Sequence, residues 1–187
     1  IELDKAFCRE LFFYNGLQEY LPNFSIVNKK DELNKKLFLN DHFVIKPSGL
    51  CSGKGVKIIG EHLDTVEEGI NYCSEILDKG QTVVIEEKLV GKEFSLISFC
   101  DGVHLSHLPL VQDFKRLNEY DKGPNTGSMG SISYSNHKLP FLSDEDIEHS
   151  KKINENVIKI LNEHKGCVGY KGILYGSFMK TKTGIKI

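Results

Sequence analysis

The segment Lys46-Pro47-Ser48-Gly49-Leu50-Cys51-Ser52-Gly53-Lys54-Gly55-Val56 combines the residue types that hold a polyphosphate. Three glycines and Ser52 let backbone N–H groups come close to an anion, and Lys46 and Lys54 supply positive charge. A Walker P-loop needs four residues between its glycines, then Lys-Ser/Thr and a helix. Here three residues separate Gly49 from Gly53, and Lys54-Gly55 leads into a strand. A flexible hairpin that folds over phosphates fits better. The competing reading is a plain glycine-rich turn with solvated lysines.

A second constellation is Ile85-Glu86-Glu87-Lys88-Leu89-Val90-Gly91-Lys92-Glu93-Phe94. It reads as a strand running into a tight connection and out again. Exposed backbone groups at such a hinge can pair with an adenine edge, and a carboxylate a few residues later, Glu93, can accept from ribose hydroxyls. A solvated charged hairpin is the alternative. The third constellation is Gln112-Asp113-Phe114-Lys115-Arg116 followed by Gly123-Pro124-Asn125-Thr126-Gly127-Ser128-Met129-Gly130. A basic pair beside an acid, then small residues that permit close backbone contact, suits a phosphorylated substrate or a transferring phosphoryl group. An ordinary turn-rich loop is the other possibility.

Other chemistries lack support. His104 and His107 are three apart on a predicted strand, so they point to opposite faces, with no nearby partner for a metal. There is no Gly-x-Ser-x-Gly elbow, and the cysteines lack an identifiable histidine base. Lys29, Lys30, Lys35 and Lys36 read as a solvated helix face.

The elements that must position these residues follow from pattern. Lys5 to Phe13 reads as a short helix stopped by Asn15-Gly16. Phe24 to Val27 reads as a strand, Lys30 to Leu39 as a lysine-rich helix, and Phe43-Val44-Ile45 as a strand ending at Lys46-Pro47, because proline cannot continue a central strand. Val56 to Ile59 is predicted as a strand. Thr65-Val66-Glu67-Glu68 matches a capping box, with Val66, Ile70, Cys73, Ile76 and Leu77 on one helical face. Thr82 to Glu86, Glu93 to Cys100 and Val103 to Val111 read as strands, the last two joined at Asp101-Gly102. Gln112 to Ser131 shows no period and reads as a long loop. Ser143 and Asp146 cap a second long helix with Ile147, Ile153, Val157, Ile160 and Leu161 inward. Ile173 to Met179 and a segment from Ile185 complete the strands.

Composition sets the outer bounds. Of 187 residues, 40% are hydrophobic and 27% charged, which is ordinary globular usage. The formal charge of −2 leaves no electrostatic footprint for nucleic acid. The longest apolar stretches fall far short of the roughly 20 residues needed to cross a bilayer. The five cysteines contain no C-x-x-C pair and are read as reduced thiols, with a cytoplasmic location expected. Opening on Ile1 points to a chain that begins inside a longer one.

Taken in order, these segments resemble the ATP-grasp domain of the glycinamide ribonucleotide synthetase (phosphoribosylamine–glycine ligase) family. Leu3-Asp4-Lys5-Ala6-Phe7 is similar to its Ser-Lys-x-Phe start. Val44 to Val56 resembles its glycine-rich strand-loop-strand, and Val84 to Glu93 its hinge. Gln112 to Arg116 and Gly123 to Gly130 resemble its Gln-Asp-His-Lys-Arg and Gly-Pro-Asn-Thr-Gly-Gly-Met-Gly. Gly172-Ile173-Leu174-Tyr175-Gly176 resembles its Gly-Phe/Ile-Leu-Tyr-Ala strand. Phe114 and Ser128 depart from these patterns, standing where the family has histidine and glycine.

The resemblance implies an α+β ATP-grasp fold of two lobes, present here as a partial domain. Its expected parts are 1–42, a nucleotide-covering lobe at 43–110, and 111–187 from the larger lobe. It implies a ligase of purine biosynthesis that activates glycine as glycyl phosphate for attack by 5-phosphoribosylamine, releasing ADP and phosphate. Lys5 and Lys46 are expected at the ATP phosphates under the loop of Gly49, Ser52, Gly53, Lys54 and Gly55. Glu87 and Leu89 are expected at adenine through their backbones, with Glu86 nearby and Glu93 at ribose. Asp113, Lys115, Arg116, Asn125, Thr126, Gly127 and Met129 are expected to face the acyl phosphate and substrates. Mg2+ or Mn2+ is implied, with its ligands expected beyond Ile187. The isolated chain is therefore expected to bind nucleotide without turnover, and the parent to be a monomer or weak homo-oligomer. Another ATP-grasp carboxylate-amine ligase or carboxylase, and a non-catalytic ATP-binding module, are the alternatives.

Overall fold

The computed structural model describes residues 1–34, 42–51, 55–120, 122–164 and 169–187. The chain divides into two compact units, 1–89 and 90–187. The divide falls inside the 43–110 segment that the sequence reading treats as one lobe.

In the first unit, α1 (Lys5–Tyr14) starts at Asp4, whose carboxylate accepts from the Phe7 N–H at 2.9 Å. It stops at Asn15, with Gly16 at φ 88° taking the left-handed position. The strands β1 (Phe24–Val27), β2 (Phe43–Pro47) and β3 (Lys57–Ile58), the helix α2 (Val66–Asp78) and the strand β4 (Val83–Glu87) follow. The strands form one antiparallel sheet in the order β1-β4-β2-β3. Alternation places Phe43, Ile45, Val83 and Ile85 on one face, all fully buried against Cys73 and Ile76 of α2. Pro47 pairs with Val83 at the end of β2, where β3 no longer runs alongside, so its missing N–H interrupts no second ladder.

Two local expectations change. The Thr65 hydroxyl accepts from the Glu68 N–H at 3.2 Å, but the Glu68 carboxylate takes the Asp64 N–H at 2.8 Å, one residue earlier than a reciprocal box requires. The helix expected from Lys30 is, where described, a single 3-10 turn at Lys30–Glu32. The Glu32 carboxylate closes that turn on the N–H groups of Asn28 and Lys29, and Leu33 leaves it extended. Residues 35–39 of that expected helix lie outside the described residues.

The second unit contains β5 (Gly91–Cys100), β6 (Leu105–His107), β7 (Gln112–Asp113), β8 (Arg116–Asn118), β9 (Lys122–Asn125), β10 (Ser131–Ile132), α3 (Asp144–Glu163), β11 (Gly172–Thr181) and β12 (Gly184–Lys186). Its main sheet runs β12-β11-β5-β6, and β5 and β11 are paired along ten residues. Gly102 turns the β5-β6 connection at φ 107°. Phe94 and Phe178 stand directly opposite one another with rings stacked 5.3 Å apart. Ser143 and Asp146 form the expected reciprocal cap of α3, which buries Ile147, Ile153, Val157, Ile158 and Ile160. Ile158 thus joins the face predicted from spacing, while Leu161 is only half-buried. Asn154, buried on the same helix, donates to the Leu96 carbonyl at 3.1 Å and the Ser98 hydroxyl at 3.0 Å, tying α3 to β5.

The segment 112–131 is not structureless. It holds two antiparallel ribbons, β7 with β10 and β8 with β9.

Candidate functional site

On the face of the first sheet opposite α2, cross-strand register decides which polar residues meet. Val44 pairs with Glu86 and Lys46 with Val84, so Lys46 and Glu86 are diagonal neighbours on one face. The Lys46 ammonium bonds Glu86 Oε2, and Arg9 of α1 donates from Nε to Oε1 at 2.6 Å. Glu86 is only 3% exposed. Burial would raise its carboxyl pKa, but the charges of Lys46 and Arg9 outweigh burial and hold it down at about 2.

The N-terminus of α1 is fastened to the start of the glycine-rich segment. Lys5 Nζ donates to the carbonyls of Gly49 at 2.7 Å and Pro47 at 3.1 Å, and the Lys5 N–H donates to the Ser48 carbonyl at 3.0 Å. The Ser48 hydroxyl accepts from the Ala6 N–H and donates to Asp4 at 2.6 Å. Burial lowers the Lys5 pKa. Gly55 closes the segment: a Cβ there would lie 3.0 Å from Pro47 and Cys51 side-chain carbons, and its carbonyl accepts from the Tyr72 hydroxyl at 2.8 Å. Gly49 has room around it. Ser52, Gly53 and Lys54 lie outside the described residues.

At the end of β4, the Glu87 carboxylate accepts from Asn23 Nδ2 at 2.9 Å and the Glu87 N–H donates to the Asn23 carbonyl. Lys88 N–H donates to the His42 carbonyl, and Leu89 is the last residue of the unit.

In the second unit the two motif arms run antiparallel to each other. Asp113 faces Ser131, Phe114 N–H donates to the Gly130 carbonyl, Met129 N–H donates to the Phe114 carbonyl, and Arg116 faces Asn125. The Lys115 carbonyl accepts from both the N–H and the hydroxyl of Thr126, at 2.7 and 2.8 Å. Lys115 Nζ meets Glu93 Oε2 at 2.7 Å, Arg116 Nη1 donates to the Gly123 carbonyl at 2.9 Å, and the Ser128 hydroxyl donates to Asp113 at 2.5 Å. Burial acts against the Lys115 charge, but Glu93 outweighs it and keeps the amine above the ordinary lysine value. Gly127 has open space where a side chain would be. Phe114 and Met129 are exposed beside this polar closure.

The fold therefore joins Lys46 to Glu86, Lys5 to Gly49, and Asp113, Lys115, Arg116, Asn125, Thr126 and Met129 to one another. Arg9 was missed. It stands one turn after Lys5 on α1, and that four-residue spacing of two cations was its only sequence signal.

D-alanine–D-alanine ligase from Bacillus anthracis aligns with all of this chain and 55% of its own at a TM-score of 0.70 and 21% identity, so the two share a fold. A phosphoribosylamine–glycine ligase crystal structure from Thermotoga maritima aligns with all of this chain and 46% of its own, with a TM-score of 0.82 and 31% identity. The fold is that of an ATP-grasp domain.

More particularly, residues 3–187 match the phosphoribosylglycinamide synthetase ATP-grasp (A) domain, and the chain belongs to that family. The phosphoribosylamine–glycine ligase of Methanocella arvoryzae is 43% identical over 187 residues, and that of Methanocaldococcus jannaschii 45% over 202. Each alignment takes in all of this chain, which spans only 42% and 43% of those relatives' lengths. Among the described residues, no helix is long and apolar enough to cross a membrane.

Proposed function

We propose that this chain is the ATP-binding part of a phosphoribosylamine–glycine ligase. The observation that carries the reading is the family match over residues 3–187, with relatives of that name at 43–45% identity. In the proposed reaction ATP phosphorylates the glycine carboxylate, the amine of 5-phosphoribosylamine attacks the acyl carbon, and phosphate leaves; ADP is the other product.

Lys46 and Lys5 hold the nucleotide's phosphates under the segment from Gly49 to Gly55, which contains Ser52, Gly53 and Lys54. The backbone of Glu87 and Leu89 meets adenine, and Glu93 the ribose. Lys115 and Arg116 stabilise charge on the transferring phosphoryl group, since fixed cations aimed at developing charge lower the barrier without reorganising. Asp113 and the turn from Asn125 through Thr126 and Gly127 to Met129 orient the acceptor. The antiparallel closure of the two motif arms supports this assignment, because it fixes Lys115 and Arg116 through backbone bonds.

Family ligases of this kind use ATP and typically Mg2+. Among the described residues no three His, Cys, Asp or Glu side chains gather, so these residues do not fit a metal by themselves.

The test is ADP release by the intact enzyme carrying this chain. Release that requires glycine and 5-phosphoribosylamine together is the expected result; release with bicarbonate alone would assign a carboxylase instead. Tight Mg-ATP binding with no turnover on any carboxylate would leave a binding module.

A further inference from the structure

We infer that Arg9 is a positioning residue for the nucleotide site, acting through the buried Glu86 carboxylate to fix the Lys46 ammonium. This rests on the ATP-binding role proposed for Lys46. Glu86 is a charged group 3% exposed, and each of its oxygens has one cation: Arg9 on Oε1, Lys46 on Oε2. A lone ammonium beside a bidentate carboxylate can slide between its two oxygens. With Oε1 occupied by a guanidinium anchored on α1, Lys46 is confined to one position on the sheet face.

Among the described residues, the ionisable groups that bear on Glu86 include Lys46 from β2 and Lys5, Cys8 and Arg9 from α1. Partial burial raises the Cys8 thiol, so it stays neutral near neutral pH. Glu87, next on β4, engages Asn23 instead.

Removing Arg9 leaves the carboxylate with one partner, so its pKa rises and Glu86 protonates on mild acidification, releasing Lys46. The experiment compares wild type, Arg9→Lys, Arg9→Gln, Glu86→Gln and the Arg9→Gln/Glu86→Gln double variant, each titrated with Mg-ATP by calorimetry between pH 5 and 8. Arg9→Gln is expected to weaken binding about tenfold at pH 7.5, the size of one charge-assisted hydrogen bond, with a further loss toward pH 5 that wild type does not show. Arg9→Lys is expected to recover most of the affinity. In the Glu86→Gln background, Arg9→Gln is expected to add nothing. An equal loss in both backgrounds would mean that Arg9 acts without Glu86, and would overturn the inference.

Acid unfolding of the same proteins separates this inference from the functional reading. A wild type that ignores Mg-ATP would sink the nucleotide site alone. The acid midpoint of Arg9→Gln should still move upward relative to wild type; an unmoved midpoint would show that Arg9 does not govern Glu86. The double variant leaves no buried carboxylate unpaired, so its comparison with Glu86→Gln reports even if Arg9→Gln folds poorly.

Discussion

Lys46 and Glu86 are joined across two antiparallel strands, two positions off direct register, on the face of the sheet that α2 leaves uncovered. The pairing is a consequence of alternation: the residues between them, Ile45 and Ile85, point into the core. Replacing Lys46 with Ala should therefore act twice. Mg-ATP affinity of the chain should fall by ten- to a hundredfold, from the loss of one charge-assisted phosphate contact. Stability should fall by about 2 kcal/mol because Glu86 loses one of its partners. Calorimetric titration and urea denaturation read the two effects separately, and unchanged affinity would overturn the phosphate role.

The carboxyl of Glu86 is lowered from its ordinary 4.5 to about 2. Its contribution to stability is thus fully present above about pH 4.5 and is lost as pH falls toward 2. Asp146, also lowered once its bonds to Lys180 and Ser143 outweigh burial, contributes in the same direction in the second unit. Melting temperature should drop steeply between pH 4.5 and 2. Glu86→Gln should flatten part of that drop, as should Asp146→Asn. Parallel curves for wild type and both variants would contradict the assignment.

Lys115 separates function from stability. Its contact with Glu93 joins two partly exposed side chains, 37% and 48% accessible, so Lys115→Met should change stability by less than about 1 kcal/mol. In the intact ligase, kcat should fall about a hundredfold, in line with loss of a group that stabilises transferring charge. A variant that keeps its kcat would remove Lys115 from the phosphoryl-transfer role.

Gly91 has no room for a methyl group. A Cβ there would sit 2.2 Å from the Lys180 carbonyl oxygen, a backbone atom on the paired strand that cannot swing aside. Gly91→Ala should cost about 3 kcal/mol through displaced pairing of β5 and β11. Denaturant midpoints check this, and a loss under 1 kcal/mol would show that β11 can yield.

The helices and longer strands were legible because apolar period carries them: α2 and α3 present their inward residues at the spacing the sequence shows, and Asn15-Gly16 ends α1 where its chemistry predicts. The ribbons in 112–131 were not. Strands of two to four mostly polar residues have no alternation to read, and their paired residues stand from four to twenty positions apart in the chain. The Lys30 segment misled because charge-rich sequence has good helix propensity, whereas the Glu32 carboxylate closes a tighter turn. The residue types of the site were legible as three constellations. Their contacts were not, since the meeting of Arg9 with Glu86 depends on which sheet face α1 covers, and no local pattern encodes that.

The ten-residue pairing of β5 with β11 also sets an order of assembly. Partners such as Gly91 and Thr181, or Cys100 and Gly172, are about seventy to ninety residues apart in the chain, so this sheet depends on contacts with a high loop-closure cost. During synthesis, every strand of the first sheet has emerged by Glu87, whereas β5 can pair early only with β6, at Ser98 to Cys100, and must wait for β11 before its ten-residue ladder can form. The first unit can therefore fold on the ribosome ahead of the second, and the edge of β5 that β11 will take stays open for a period in which chaperones or neighbouring chains could capture it.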